Sequence, residues 1–195
     1  TPRSSSAASD VYKRQHQTFA PLMTRLQAGE LVADFTLPSI SGSMFNMSET
    51  RGKKVILTYF RFSSCPFCNL RISQLISRWD EFSNDIIMVG IFDAKIDDLK
   101  KRMKHHNAPF SILADENYEL FTKHSVQKSF VRFMLGTFSA PFTLLRATMK
   151  GYFPKTLSIS KLSTIPVDIL IDENGKVVKA HYCNCLLYTS PSPRD

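Results

Sequence analysis

No run of apolar residues in these 195 residues is long enough to span a bilayer as a helix, and the chain does not start with a secretory signal. No glycine-rich phosphate loop is present, so a nucleotide cofactor has no backbone cradle to sit in. There is no arginine-rich run and no aromatic–basic motif of the nucleic-acid-binding kind, so the net charge of +8 reads as a solvated positive face and not as a nucleic-acid footprint. Cysteine is scarce, at four residues, and unevenly spaced, which excludes a secreted disulfide scaffold. That usage fits a reducing compartment, and a cytoplasmic location is the expectation.

The two ends lack the apolar periodicity of folded protein. Residues 1–15 (TPRSSSAASDVYKRQ) and 185–195 (CLLYTSPSPRD) resemble translated sequencing-adapter read-through and are set aside from fold reasoning. On this reading the natural C-terminus is replaced by adapter. Residues 16–184 remain, enough for one domain with a single core.

What is present centres on VILTYFRFSSCPFCNLRISQL, Val55 to Leu75. Val55 to Phe60 is a β-branched and aromatic run bounded by Gly52 and by Ser63-Ser64, the pattern of a buried strand. Leu70, Ile72, Leu75 and Ile76 then recur at helical spacing, and the helix is expected to reach about Ser83. Between strand and helix lies Cys65-Pro66-Phe67-Cys68. Pro66 suits the first helical turn, where its missing N–H has no partner to lose. Cys65 falls at the N-cap, where backbone N–H groups and the helix dipole favour a thiolate. Cys68, one turn on, can attack a mixed disulfide on Cys65.

Around this unit the chain alternates strands and helices. Gly29 to Leu37 reads as a strand, with Ser41-Gly42-Ser43 and Met44-Phe45-Asn46 completing an N-terminal β-hairpin. Ile86 to Phe92 is a second central strand; Asp93 is placed to cap a helix from Ile96 to about His106. Phe110 to Leu113 is a short strand, and Asp115 precedes another helix. Val167 to Ile171 and Val177 to Tyr182 flank Asp172-Glu173-Asn174-Gly175, a strong hairpin signal. The sum is an α/β chain with a mixed central sheet flanked by helices. Pro166, at the entry to the Val167 strand, is a candidate cis-proline facing the cysteines.

From Leu120 to Val167 there is no acidic residue, while Lys123, Lys128, Arg132, Arg146, Lys150, Lys155 and Lys161 alternate with aromatic side chains. This reads as a helical insertion over about 125–163, packed on the sheet. A lid over an anionic substrate and docking to an acidic membrane are the less favoured readings.

Taken together, DFTLPSISG, GKKVILTYFRFSSCPFCN, IIMVGIFD, HNAPFSILAD and IPVDILIDENGKVVKAHY resemble the alkyl hydroperoxide reductase / thiol-specific antioxidant (AhpC/TSA) family. The nearest branch is the peroxiredoxin-like one with a Cys-x-x-Cys motif, within the thioredoxin-like fold. The resemblance implies Cys65 as attacking thiol, Cys68 as resolving thiol and Pro166 as the cis-proline facing them. It places Phe62, Pro66, Phe67 and Ile165 around the substrate. Arg61 and Ser64 are candidates to support the thiolate. The family's proline seven residues before the attacking cysteine and its Thr or Ser three residues before it are replaced here by Thr58 and Phe62. Cys-Pro-Phe-Cys also resembles the glutaredoxin site, which favours disulfide partners.

The expected activity is thiol–disulfide oxidoreduction, with Cys65 attacking a disulfide or hydroperoxide and thioredoxin or glutathione as external reductant. A peroxidase proper and a non-catalytic redox sensor are the alternatives. No cofactor is called for. A zinc module needs about four ligands, and there is no second Cys-x-x-Cys; Cys183-Asn184-Cys185 depends on the excluded tail.

Overall fold

A computed structural model describes residues 25–82, 85–126, 141–151 and 164–183. The terminal segments read as adapter, and most of the expected insertion, lie outside the described residues.

Five strands form one mixed sheet: β3 (Lys54–Phe60), β4 (Ile86–Phe92), β5 (Ser111–Ala114), β6 (Val167–Ile171) and β7 (Val177–Tyr182), in the spatial order β5-β4-β3-β6-β7. β3, β4 and β5 run parallel; β6 and β7 are antiparallel to their neighbours. Central strands buried on both faces need continuous apolar runs, which β3 (KVILTYF) and β4 (IIMVGIF) supply.

The sheet divides the core into two layers. Val55, Leu57 and Tyr59 of β3 pack with Ile169, Leu120 and Phe121 on one side. Phe60 and Met88 pack with Cys68, Ile72, Leu99 and Met103 on the other, under α1 (Pro66–Ser77) and α2 (Ile96–Met103). Gly90 sits where a Cβ would lie 2.9 Å from the Phe60 ring, so the close approach of β4 to that ring requires glycine.

The N-terminal hairpin forms, but only as β1 (Thr36–Pro38) paired with β2 (Met44–Asn46). The residues before it turn to the main sheet instead: Gly29 N–H donates to Val177 O and Val32 N–H to Gly175 O. The Asp172–Gly175 loop closes β6 and β7 as expected, with Asp172 accepting from the Asn174 and Lys176 amides and Gly175 at φ +82°.

Helix boundaries moved inward. α1 stops at Ser77 and a 3₁₀ turn covers Trp79–Glu81, where Trp79 packs against Phe82 and Phe110. α2 starts with Lys95 at its cap and no side-chain cap bond, so Asp93 does not serve there. Asp115 does cap α3 (Glu119–Lys123), accepting from the amides of Glu119, Leu120 and Phe121. Within the expected insertion, α4 (Pro141–Met149) is helical and packs beside α1: Ala147 is buried and Lys150 Nζ donates to Ser73 Oγ at 3.2 Å. Phe142, Leu145 and Met149 are exposed. Among the described residues no helix is long and apolar enough to cross a membrane.

Candidate active site

β3 ends at Phe60 and the chain turns through Arg61–Ser64 into α1. Cys65 is the N-cap residue, with extended backbone, and Pro66 opens the helix. The cap bond is made by sulfur: Cys68 N–H donates to Cys65 Sγ at 3.4 Å. Both are thiols in this structure, as is Cys183.

Asn69 holds the turn. Its backbone N–H donates to Cys65 O at 3.0 Å, and its amide nitrogen donates to Ser63 O at 3.0 Å and Cys65 O at 2.8 Å. Sequence reading missed this residue. An Asn inside the first turn of a helix is a local hint, because such a side chain seeks backbone carbonyls; its partner His106 is too remote in sequence to be signalled.

The predicted site residues converge only in part on what was expected of them. Phe62, Ser64, Pro66 and Phe67 surround the cysteine turn and are buried. The Arg61 guanidinium is buried too, 5.7 Å from the centre of the Phe67 ring, and its charge reaches Cys65. Ile165 and Pro166 are buried at the start of β6. Because Tyr59 is paired with Val167, that start lies at the same sheet edge as the cysteine turn.

Two expectations are corrected. First, the Ile165–Pro166 peptide is trans, since no described peptide bond is cis. Pro166 O accepts from Cys183 N–H at 3.2 Å, extending the β6–β7 ladder. The proline therefore leads directly into the β6 strand, without the tight turn in which a cis bond is usually found. Second, burial at Cys65 opposes the ionisation expected from its cap position. The residue is 1 % exposed, and burial, reinforced by the neighbouring Cys68 side chain, pushes its thiol well above the ordinary range. The charge of Arg61 and the Cys68 N–H pull the other way without prevailing. The cap geometry is as expected; the apolar layer over it, including Phe62 and Phe67, supplies the opposing desolvation.

Among the described residues no cluster of three or more His, Cys, Asp or Glu is arranged to hold a metal.

A family model described as the AhpC/TSA family matches residues 28–180. Peroxiredoxin Bcp of Escherichia coli (strain K12) is 25 % identical over 112 residues, covering 56 % of this chain and 72 % of that protein. Peroxiredoxin Bcp of Bacillus subtilis (strain 168) is 21 % identical over 123 residues, covering 61 % and 78 %. Among solved structures, Peroxidoxin BcpB from Mycobacterium tuberculosis superposes with a TM-score of 0.59 at 18 % identity, covering 81 % of this chain and 86 % of that one. The likeness of architecture establishes the thioredoxin-like fold.

Proposed function

This chain belongs to the AhpC/TSA family, and we propose that Cys65 is its attacking sulfur and Cys68 its resolving sulfur. It is a thiol-dependent oxidoreductase of the peroxiredoxin-like class. The observation that carries the residue assignment is the contact between the two cysteines: Cys68 N–H donates to the Cys65 sulfur at 3.4 Å.

The cycle runs in three steps. Ionised Cys65 attacks a hydroperoxide, releasing an alcohol or water and becoming a sulfenic acid. With a disulfide as oxidant it forms a mixed disulfide and expels a thiolate. Cys68 then attacks the Cys65 sulfur, releasing water or the second thiol and leaving a Cys65–Cys68 disulfide. An external dithiol or two glutathiones supply the two electrons that restore the pair. Thioredoxin or glutathione in a reducing, cytoplasmic setting fits this demand.

Opening of the site favours ionisation. Exposing Cys65 removes the dominant desolvation while leaving Arg61 and the Cys68 amide, both of which favour the thiolate. The names of the relatives favour a hydroperoxide as oxidant. Phe62, standing where a hydroxyl would orient the peroxide, favours a disulfide, unless the buried Ser63 or Ser64 replaces it.

Steady-state turnover with hydroperoxide and with a protein disulfide, under a thioredoxin–reductase couple, tests the assignment in wild type, Cys65→Ser and Cys68→Ser. Cys65→Ser is expected to abolish turnover with both oxidants. Cys68→Ser is expected to retain one stoichiometric oxidation and to accumulate a sulfenic acid or mixed disulfide on Cys65, visible by mass spectrometry. Full turnover in Cys65→Ser would remove that sulfur from the reaction.

A further inference from the structure

Between α1 and the β3–β6–β7 part of the sheet lies a cavity of about 250 Å³. Two rows of register partners form its floor. Met88, Ile56, Leu170 and Lys179 make one row. One step toward the cysteine edge, Thr58, Asp168 and His181 make the other. Residues two apart on a strand share a face, so both rows point into the same space. Arg71 and Leu75 of α1, with Phe82, complete the lining.

A core-facing row of Thr, Asp and His breaks the apolar pattern of the row beside it. Asp168 Oδ1 and His181 Nε2 are buried, with no hydrogen-bond partner among the described residues. Buried polar atoms are nearly always satisfied in native proteins. Asp168 and His181 are cross-strand partners, whose Cβ atoms stand about 4.5–5.5 Å apart. One small polar group between the two side chains therefore reaches both orphaned atoms.

The chemistry of that group follows from the atoms it must meet. A carboxylate oxygen accepts, so the group must donate. An anion has no proton to give and would bring like charge to Asp168. An ammonium would meet like charge from Arg71 and Lys179, which stand in the same lining. A neutral hydroxyl fits: with the ring proton of His181 on Nε2, its hydrogen goes to Oδ1 and its oxygen accepts from Nε2–H. Water offers the same bonds but leaves the hydrocarbon half of the cavity uncovered.

We propose that this cavity binds a neutral medium-chain alcohol, its hydroxyl bridging Asp168 Oδ1 and His181 Nε2 and its chain lying against Ile56, Leu75, Phe82 and Met88. A dry cavity of about 150 Å³ takes benzene, so 250 Å³ takes roughly ten non-hydrogen atoms. That is an alcohol of about eight carbons. Arg71 and Leu75 lie six and ten residues beyond Cys65, about 9 Å and 15 Å along the helix axis. The site is therefore separate from the dithiol and does not rest on its assigned chemistry.

Calorimetric titration of the reduced full chain with 1-octanol, its isomer 1-methoxyheptane, octanoate and octylammonium tests this by binding alone. The ether keeps the size and the accepting oxygen of octanol but has no proton to donate. Octanol should bind saturably at one site, the ether about tenfold more weakly, and both ions more weakly than octanol. Asp168→Leu removes the accepting oxygens and should bring octanol down to the affinity of the ether. Leu75→Trp fills the apolar half and should block both. The contrast between the two isomers in wild type stands without any variant. Absence of saturable octanol binding overturns the site and leaves both orphaned atoms to water. Equal or tighter binding of the ether or of octanoate also overturns it, as does a preference for octanol that survives in folded Asp168→Leu.

Discussion

The His106 imidazole, just past the end of α2, lies with Nε2 2.8 Å from Oδ1 of Asn69 on α1. Both donor bonds of the Asn69 amide go to backbone carbonyls of the cysteine turn, so Oδ1 must accept, and Nε2 must carry the proton. Burial, with His105 adding to it, lowers the His106 pKa and favours the neutral ring, and the bond to Asn69 places its proton on Nε2. One hydrogen bond thus ties the helix after β4 to the loop that shapes Cys65.

Asn69→Leu removes this link while keeping helix propensity and volume. Cys65 O keeps its helical amide donor, but Ser63 O loses the Asn69 side chain. A buried unpaired carbonyl costs about 1–3 kcal/mol, so the unfolding midpoint in urea should fall with little change in slope. His106→Leu should cost less. A double-mutant cycle should return a coupling of about 0.5–1.5 kcal/mol, and strict additivity would show that the bond carries no energy.

The burial of Cys65 makes its reactivity depend on pH in a specific way. A raised thiol pKa means the thiolate fraction is still climbing where an ordinary cysteine, at about 8.5, is half ionised. Iodoacetamide alkylation at Cys65, followed by mass spectrometry, should therefore rise through pH 8.5 without levelling. Arg61→Met should shift the profile further upward, because it removes the charge that favours the thiolate. A plateau below pH 8 would mean that the thiolate-favouring groups outweigh desolvation.

The same residue shows how far local sequence carries. Pro66 after Cys65, an apolar strand before and a helical repeat after specify the strand–cap–helix unit, because each signal acts within a few residues. Protonation of Cys65 depends on what packs over the cap, and Phe62 and Phe67 cover it only once the sheet and helices assemble. Asn69 and His106 are 37 residues apart, and the row of Thr58, Asp168 and His181 exists only through strand register. Periodicity identifies strands but not their neighbours. Pro166 is legible as a strand-entry proline at the cysteine edge, while its trans isomer has no signal in the sequence.

Asp115 offers a test of the opposite sheet face. Its carboxylate accepts three amides at the start of α3, with oxygen–nitrogen distances of 2.8–3.1 Å. A lost cap costs about 1–2 kcal/mol, and here three amide donors share it, two of them buried. Asp115→Ala should destabilise by at least that amount, and Asp115→Asn, which retains one acceptor oxygen, by less. Equal stability of the two variants would show that the second oxygen contributes nothing.

His124 sets a pH limit on folding. Its Nδ1 pairs with the hydroxyl of Tyr59 in the core, and burial, with Lys123 adding to it, lowers its pKa to about 4. In the unfolded chain it titrates near 6.5. Between those values the unfolded state binds a proton that the folded state rejects, so stability falls as pH falls. The contribution is intact above about pH 6.5 and lost progressively toward pH 4, a difference of about 3 kcal/mol. Urea titrations at intervals across that window should show the decline. His124→Gln keeps a polar partner for Tyr59 but cannot titrate, so the variant should be less stable than wild type at pH 7 and should lose most of the slope between pH 6.5 and 4. A slope unchanged in His124→Gln would assign the decline to other groups, with His106 the next to test.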